Sequence, residues 1–129
     1  MNQIKTIALS AVLLLILDGT YLFSIQKLFQ RQILDIQKTP ITIRFESAVA
    51  CYILLIGGLN YFILRGNRSP WDAFLLGLLI YGVYETTSYA LFSKWSLQIA
   101  LMDTLWGGVL LSLTTWLVYW FSGRERGFF

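Results

Sequence analysis

Four acidic side chains lie inside long apolar stretches of the sequence, and these are the residues best suited to chemistry. They are Asp18, Glu46, Glu85 and Asp103. A carboxylate near the centre of a bilayer costs about 2.5–3.5 kcal/mol on insertion scales, so each one needs a hydrogen-bond donor, a water-filled cavity, or a bound cation or proton. The run from Tyr81 to Tyr89, which contains Glu85, is the most polar part of its segment. These acids therefore mark the expected site.

Helical spacing places further polar and aromatic residues beside the acids. Glu85 shares a helix face with Tyr81 and Ser88, and Asp103 shares one with Trp106. Such neighbours can donate hydrogen bonds to a carboxylate or form aromatic walls around a bound group. The candidate ligand-binding residues are Asp18, Tyr21, Glu46, Tyr81, Tyr84, Glu85, Ser88, Asp103, Trp106 and Gly107.

The composition is that of an integral membrane protein. Of 129 residues, 57% are hydrophobic and 13% are charged, and the mean hydropathy is +0.63. A soluble domain has about 25% charged residues. The net charge of +3 comes from Lys and Arg at predicted helix ends, loops and termini, which fits anionic lipid headgroups rather than nucleic acid. The length suits one membrane domain over residues 1–129.

Apolar segments and turn signals predict an all-α fold, a bundle of four transmembrane helices over about residues 4–25, 45–64, 71–92 and 97–121. A signal peptide is the alternative for the first segment, but no A-x-A-like cleavage site follows it. Ser69-Pro70 and Ser96 are expected to cap the third and fourth helices. The short turn before Ser69 predicts that the second and third helices are neighbours.

Residues 26–38 are polar but patterned, with apolar side chains on one helical face and charged ones largely on another. This pattern predicts a short interfacial helix between the first two spans, and Pro40 should follow its end. A solvated linker helix is the alternative interpretation.

Orientation is not decided by counting positive charges, because five Lys and Arg residues fall on each side of the predicted four-span topology. Arg65 and Arg68 lie in a short turn, whereas the opposing charges are mostly in the longer segment between the first two spans. Lys and Arg in short loops count most in the rule that positive residues lie on the cytoplasmic side, so this difference favours cytoplasmic termini.

Several kinds of site are excluded by what the sequence lacks. There is no histidine, so a His-based catalytic triad, a histidine zinc site and haem held by histidine are not expected. Cys51 is the only cysteine, which rules out an intrachain disulfide. No cofactor can be named from the sequence.

Three short motifs resemble the signatures of a family of small membrane proteins, domain-of-unknown-function family 2177. They are Leu17-Asp18 with Tyr21-Leu22, the run Tyr84–Ala90, and Asp103-Thr104-Leu105-Trp106-Gly107. The family usually has Trp at position 21, Asp at position 85 and Asn at position 88, where this chain has Tyr, Glu and Ser. The resemblance implies a multi-pass membrane protein and brings no established activity.

Three functions remain open from the sequence. The favoured hypothesis is a transporter-like protein that binds a cation, a proton or a small amphiphile at the intramembrane carboxylates, and such a small bundle would need to form a homo-oligomer to enclose a path. An intramembrane lipid-modifying enzyme is the second, although no recognised catalytic motif is present. The third is a membrane assembly or accessory protein whose acids only hold the helices together.

Overall fold

The computed structural model describes residues 2–37, 44–124 and 127–129, and all regular structure in these ranges is helical. The helices are α1 (Gln3–Gln37), α2 (Phe45–Leu59, which continues as a π-helical turn over Asn60–Leu64), α3 (Pro70–Leu91) and α4 (Leu97–Phe121). Within the described ranges, four helical segments are long and apolar enough to cross a membrane. The predicted four-helix transmembrane bundle is confirmed.

The predicted short interfacial helix at residues 26–38 is wrong, because α1 continues without a break to Gln37. Residues 26–37 contain neither Gly nor Pro and are mostly good helix formers, so nothing in them ends the first span. The extension is also held by packing. The Gln32 side-chain oxygen accepts a 2.7 Å hydrogen bond from the Ser96 backbone N–H, and Phe29 meets Trp95 edge-on at 6.5 Å. Residue 38 and Pro40 lie outside the described residues.

Both predicted helix caps are present. Ser69 accepts a hydrogen bond from the Asp72 N–H at 3.1 Å, and Pro70 occupies the first turn of α3. Ser96 accepts a 3.4 Å hydrogen bond from the Ile99 N–H at the start of α4. Each cap satisfies a backbone donor that the first helical turn leaves without an intrahelical partner.

The closest helix contact joins α3 to α4 and depends on glycine. A Cβ atom on Gly77 would lie 2.1 Å from the Gly107 carbonyl oxygen and 2.8 Å from the Gly108 Cα. Only a residue without a side chain lets the two backbones approach this closely in lipid. This contact fixes α3 against α4.

The other helices complete the bundle around α1. Asn60 donates a 2.9 Å hydrogen bond to the Ser10 hydroxyl, joining the π-helical turn to α1. The apolar core draws on every helix and includes Leu14, Leu55, Leu59, Ala73, Leu110, Leu111 and Val118. The short turn joins α2 to α3, but α3 packs most closely on α4. A groove opens between the predicted neighbours α2 and α3.

Candidate ligand-binding site

Asp18 joins three helices. Its side chain is buried in the middle of α1, and one carboxyl oxygen accepts a 2.5 Å hydrogen bond from the Tyr52 hydroxyl on α2. The other oxygen accepts a 3.0 Å hydrogen bond from the Trp106 indole N–H on α4. Both oxygens therefore have a donor, and the acid bonds α1 to two other spans.

Tyr21 lies between the acids. Its ring stacks on Trp106 at a centroid distance of 4.5 Å with an interplanar angle of 9°, which holds the side chain in place. Its hydroxyl donates a 3.1 Å hydrogen bond to one Asp103 carboxyl oxygen. The same phenol is within electrostatic range of the carboxyl groups of Asp18, Glu85 and Asp103. The structure thus brings acids from α1, α3 and α4 together around one tyrosine.

Glu85 is the most deeply buried of the acids, with no exposed surface. One carboxyl oxygen accepts a 2.9 Å hydrogen bond from the Trp95 indole N–H in the connection between α3 and α4. The other oxygen, Oε1, has no hydrogen-bond partner within the part of the chain that the structure describes. The Asp103 carboxyl group lies close enough to interact with Glu85. A buried oxygen without a donor is rare in folded proteins and calls for an explanation.

A cleft of about 350 Å³ opens beside this group of acids, between α2 and α3. Its lining is Cys51, Leu55, Ile80, Tyr81, Tyr84 and Asp103. Gly107 makes room for one wall, because a Cβ atom there would lie 2.2 Å from the Tyr81 ring. Asp103 is the single carboxylate among these described lining residues, so an acid meets a surface that is otherwise apolar and aromatic.

Of the sequence-predicted residues, Glu46 lies outside this contact network, and Ser88 joins it through a side-chain hydrogen bond with Tyr84. Glu46 is exposed in the first turn of α2, and no described hydrogen bond joins it to the other acids. Ser88 is buried on α3, and its carbonyl oxygen accepts a backbone hydrogen bond from Phe92. Their part in ligand binding stays a prediction.

Sequence reasoning missed Tyr52 and Trp95, which donate to Asp18 and Glu85. Trp95 lies just beyond α3, where aromatic residues usually lie at headgroup level. Its indole N–H, however, turns inward. A buried indole N–H needs a hydrogen-bond acceptor, and this requirement could have suggested that Trp95 bonds to one of the acids.

The acids contact tyrosine and tryptophan side chains. Among the described residues, no group of three or more His, Cys, Asp or Glu side chains is placed to hold a metal ion. Carboxylate oxygens next to tyrosine rings can instead pair with an organic cation.

The fold is that of a multi-pass integral membrane protein, and two of its acids, Asp18 and Glu85, are buried inside it. The family described as "Predicted membrane protein (DUF2177)" matches residues 3–120, and the chain belongs to this family. No curated protein and no solved structure gave a significant match.

Proposed function

We propose that the protein is transporter-like and binds a small cationic amphiphile in the cleft between α2 and α3. The observation that carries this proposal is the position of Asp103, whose carboxylate lines a cleft that is otherwise apolar and aromatic among the described residues. An acid in that position can select a positive charge while the surrounding wall accepts hydrocarbon.

Each part of the cleft matches a part of such a ligand. The Asp103 carboxylate pairs with the cationic head, and one of its oxygens is already oriented by Tyr21. The rings of Tyr81 and Tyr84 offer cation–π contacts, which contribute about 0.5–2 kcal/mol depending on desolvation. Leu55 and Ile80 cover the apolar part of the ligand.

Glu85 adds a second part to the proposal, in which the bound cation is exchanged for a proton. Its Oε1 lacks a donor among the described residues while the Asp103 carboxyl group is near. A proton held between the two carboxyl groups would give this oxygen a partner in the ligand-free protein. Arrival of a cation would then release that proton, which keeps the net charge inside the membrane unchanged and lowers the cost of binding there.

Tetraphenylphosphonium, a lipophilic organic cation, tests the proposal when it is added to the protein in an uncharged detergent. A ligand at about 100 times its dissociation constant raises the free energy of unfolding by about 2.7 kcal/mol, which is measured as a higher melting temperature. Asp103→Asn keeps an acceptor for Tyr21 but removes the negative charge, so we expect it to fold and to lose most of this stabilisation.

Two controls make the result specific. Asp72→Asn removes an acid that pairs with Arg68 at the start of α3, away from the cleft, and should respond to the cation like the wild type. Triphenylphosphine oxide is uncharged and of similar shape, and it should stabilise the protein much less than the phosphonium. Equal stabilisation of wild type and Asp103→Asn by the cation would contradict the proposal.

A further inference from the structure

A second, polar cleft lies at the other end of the bundle, where α1 begins and both α2 and α4 end. Its volume is about 560 Å³. The described lining consists of Gln3, Thr6, Asn60, Leu64, Arg65, Asn67 and Arg124. We infer that this cleft binds a phosphoryl group, either the headgroup of an anionic phospholipid or a free phosphate ion.

The charge of the cleft points to an anion. Two arginines line it, and no carboxylate is among its described lining residues. Within residues 2–37, 44–124 and 127–129, the single ion pair joins Arg68 to Asp72 at 2.9 Å and involves neither of these arginines. The positive charges of Arg65 and Arg124 are therefore balanced by no acid in the described chain.

Both guanidinium groups are positioned by neighbouring residues. Arg65 lies 4.1 Å from the ring centroid of Tyr61, and Arg124 lies 5.5 Å from that of Tyr119. Arg124 also donates hydrogen bonds of 3.3 Å to the Leu64 carbonyl oxygen and to the Thr6 hydroxyl. These contacts join the beginning of α1, the end of α2 and the end of α4 around the cleft.

The donor chemistry favours phosphate. A guanidinium has five N–H donors in a planar fork, and the two bonds of Arg124 use two of them within the described structure. Arginine pairs with phosphate oxygens through two parallel hydrogen bonds, which makes it the preferred residue for such groups. The side-chain amide of Gln3 lies on the same lining and can add a neutral donor.

The location agrees with a lipid headgroup as one source. The cleft lies at the ends of three spans, and the ends of spans lie at the headgroup region of a bilayer. Basic pockets between transmembrane helices are a known way of holding phosphorylated headgroups. This cleft is distinct from the acid cluster, which lies toward the connection between α3 and α4, so the two proposals can fail independently.

Two probes distinguish the sources, both added to the protein in uncharged detergent at constant ionic strength set with sodium chloride. They are dioctanoyl phosphatidylglycerol and sodium phosphate, with thermal stability as the readout. Stabilisation by the lipid alone identifies a headgroup site, and stabilisation by both or by phosphate alone identifies a site for the free ion. Absence of stabilisation by either probe overturns the inference.

Arg65→Gln and Arg124→Gln are the test variants, and Arg68→Gln is the matched control because it removes the same charge from the same turn but faces Asp72. We expect about a tenfold or greater loss of apparent affinity for the effective probe in each test variant, and wild-type affinity in the control. If Arg124→Gln does not fold, Arg65→Gln alone tests the inference, because Arg65 is exposed and its replacement should leave the fold intact. Equal losses in Arg65→Gln and Arg68→Gln would show a general charge effect and overturn the site.

Discussion

Asp18 and Glu85 are both buried acids in membrane-spanning helices, yet their surroundings differ. Each oxygen of Asp18 accepts a hydrogen bond, one from Tyr52 and one from Trp106. Glu85 receives one hydrogen bond from Trp95, and its other oxygen has no partner in the described chain. The protein therefore supplies a hydrogen-bond donor to both oxygens of Asp18, but to only one oxygen of Glu85.

The energies make this difference informative. A hydrogen bond in a folded protein contributes about 0.5–1.5 kcal/mol net, so the single Trp95 bond gives Glu85 only a modest gain. A buried polar atom without a partner costs about 1–3 kcal/mol. That cost applies to Glu85 unless the oxygen gains a partner, such as the proton proposed to lie between Glu85 and Asp103. The unpartnered oxygen, rather than burial alone, therefore distinguishes Glu85 from Asp18.

The largest expected effect is on stability, in Asp18→Leu. This change leaves both the Tyr52 hydroxyl and the Trp106 indole without their acceptor. Each stranded donor costs about 1–3 kcal/mol, so we expect the melting temperature in detergent to fall sharply. Thr20→Leu on the same helix is the control, because Thr20 is exposed and bonds only to its own helix at the Ile16 carbonyl. A similar fall in melting temperature in both variants would show that Asp18 has no special structural role.

An intermediate effect is expected from Gly107→Ala, which acts on the cleft wall. The added Cβ would lie 2.2 Å from the Tyr81 ring, so the ring or the helix must move. Overpacking of this kind costs about 1–3 kcal/mol and should also weaken tetraphenylphosphonium binding, since Tyr81 lines the cleft. Gly58→Ala provides the control, as nothing lies within 4 Å of its added Cβ. Unchanged cation binding in Gly107→Ala would show that Tyr81 does not shape the site.

The smallest effect on stability is expected from Glu85→Gln. The glutamine oxygen can still accept from Trp95, and its amide N–H groups would occupy the place of the unpartnered oxygen and face Asp103. These bonds replace those of a Glu85 that shares a proton with Asp103, so we expect a change in the free energy of unfolding below the roughly 1 kcal/mol that is typical of point mutations.

Asp18→Asn is the comparison for that variant. Its amide N–H group would face another donor, from Tyr52 or Trp106, and cannot bond to it, so we expect this variant to have a lower melting temperature. If Glu85→Gln destabilises as much as Asp18→Asn, the two acids have the same packing role and the contrast between them fails.

The number of spans, and the bounds of the second, third and fourth, could be predicted because apolar length is a strong and local signal. The continuation of α1 could not, since the pattern of residues 26–37 is equally compatible with a separate surface helix and with an extension. Contacts of Phe29 and Gln32 with the distant connection at Trp95 and Ser96 distinguish the two. These contacts depend on tertiary packing, which the local pattern does not contain.

The acids of the candidate site could be located from the cost of burying them, but their partners could not. Hydrogen bonds such as that of Tyr52 to Asp18 depend on how each helix is rotated about its axis, and nearly uniform apolarity leaves that rotation undetermined. The packing of α3 against α4 could not be predicted for a similar reason. A short turn brings α3 near α2 in sequence, but the backbone contact of Gly77 with Gly107 places α3 against α4 and leaves the cleft open.

The unbroken α1 has a mechanical consequence. With 35 residues it is about 52 Å long, well beyond the roughly 30 Å of a hydrocarbon core. Near one end, Thr6 contacts Arg124, and near the other, Gln32 contacts the start of α4. Because α1 is held to neighbouring elements near both ends, a tilt of the helix would strain the contacts at one end or the other. Asp18, near its midpoint, also bonds it to α2 and α4.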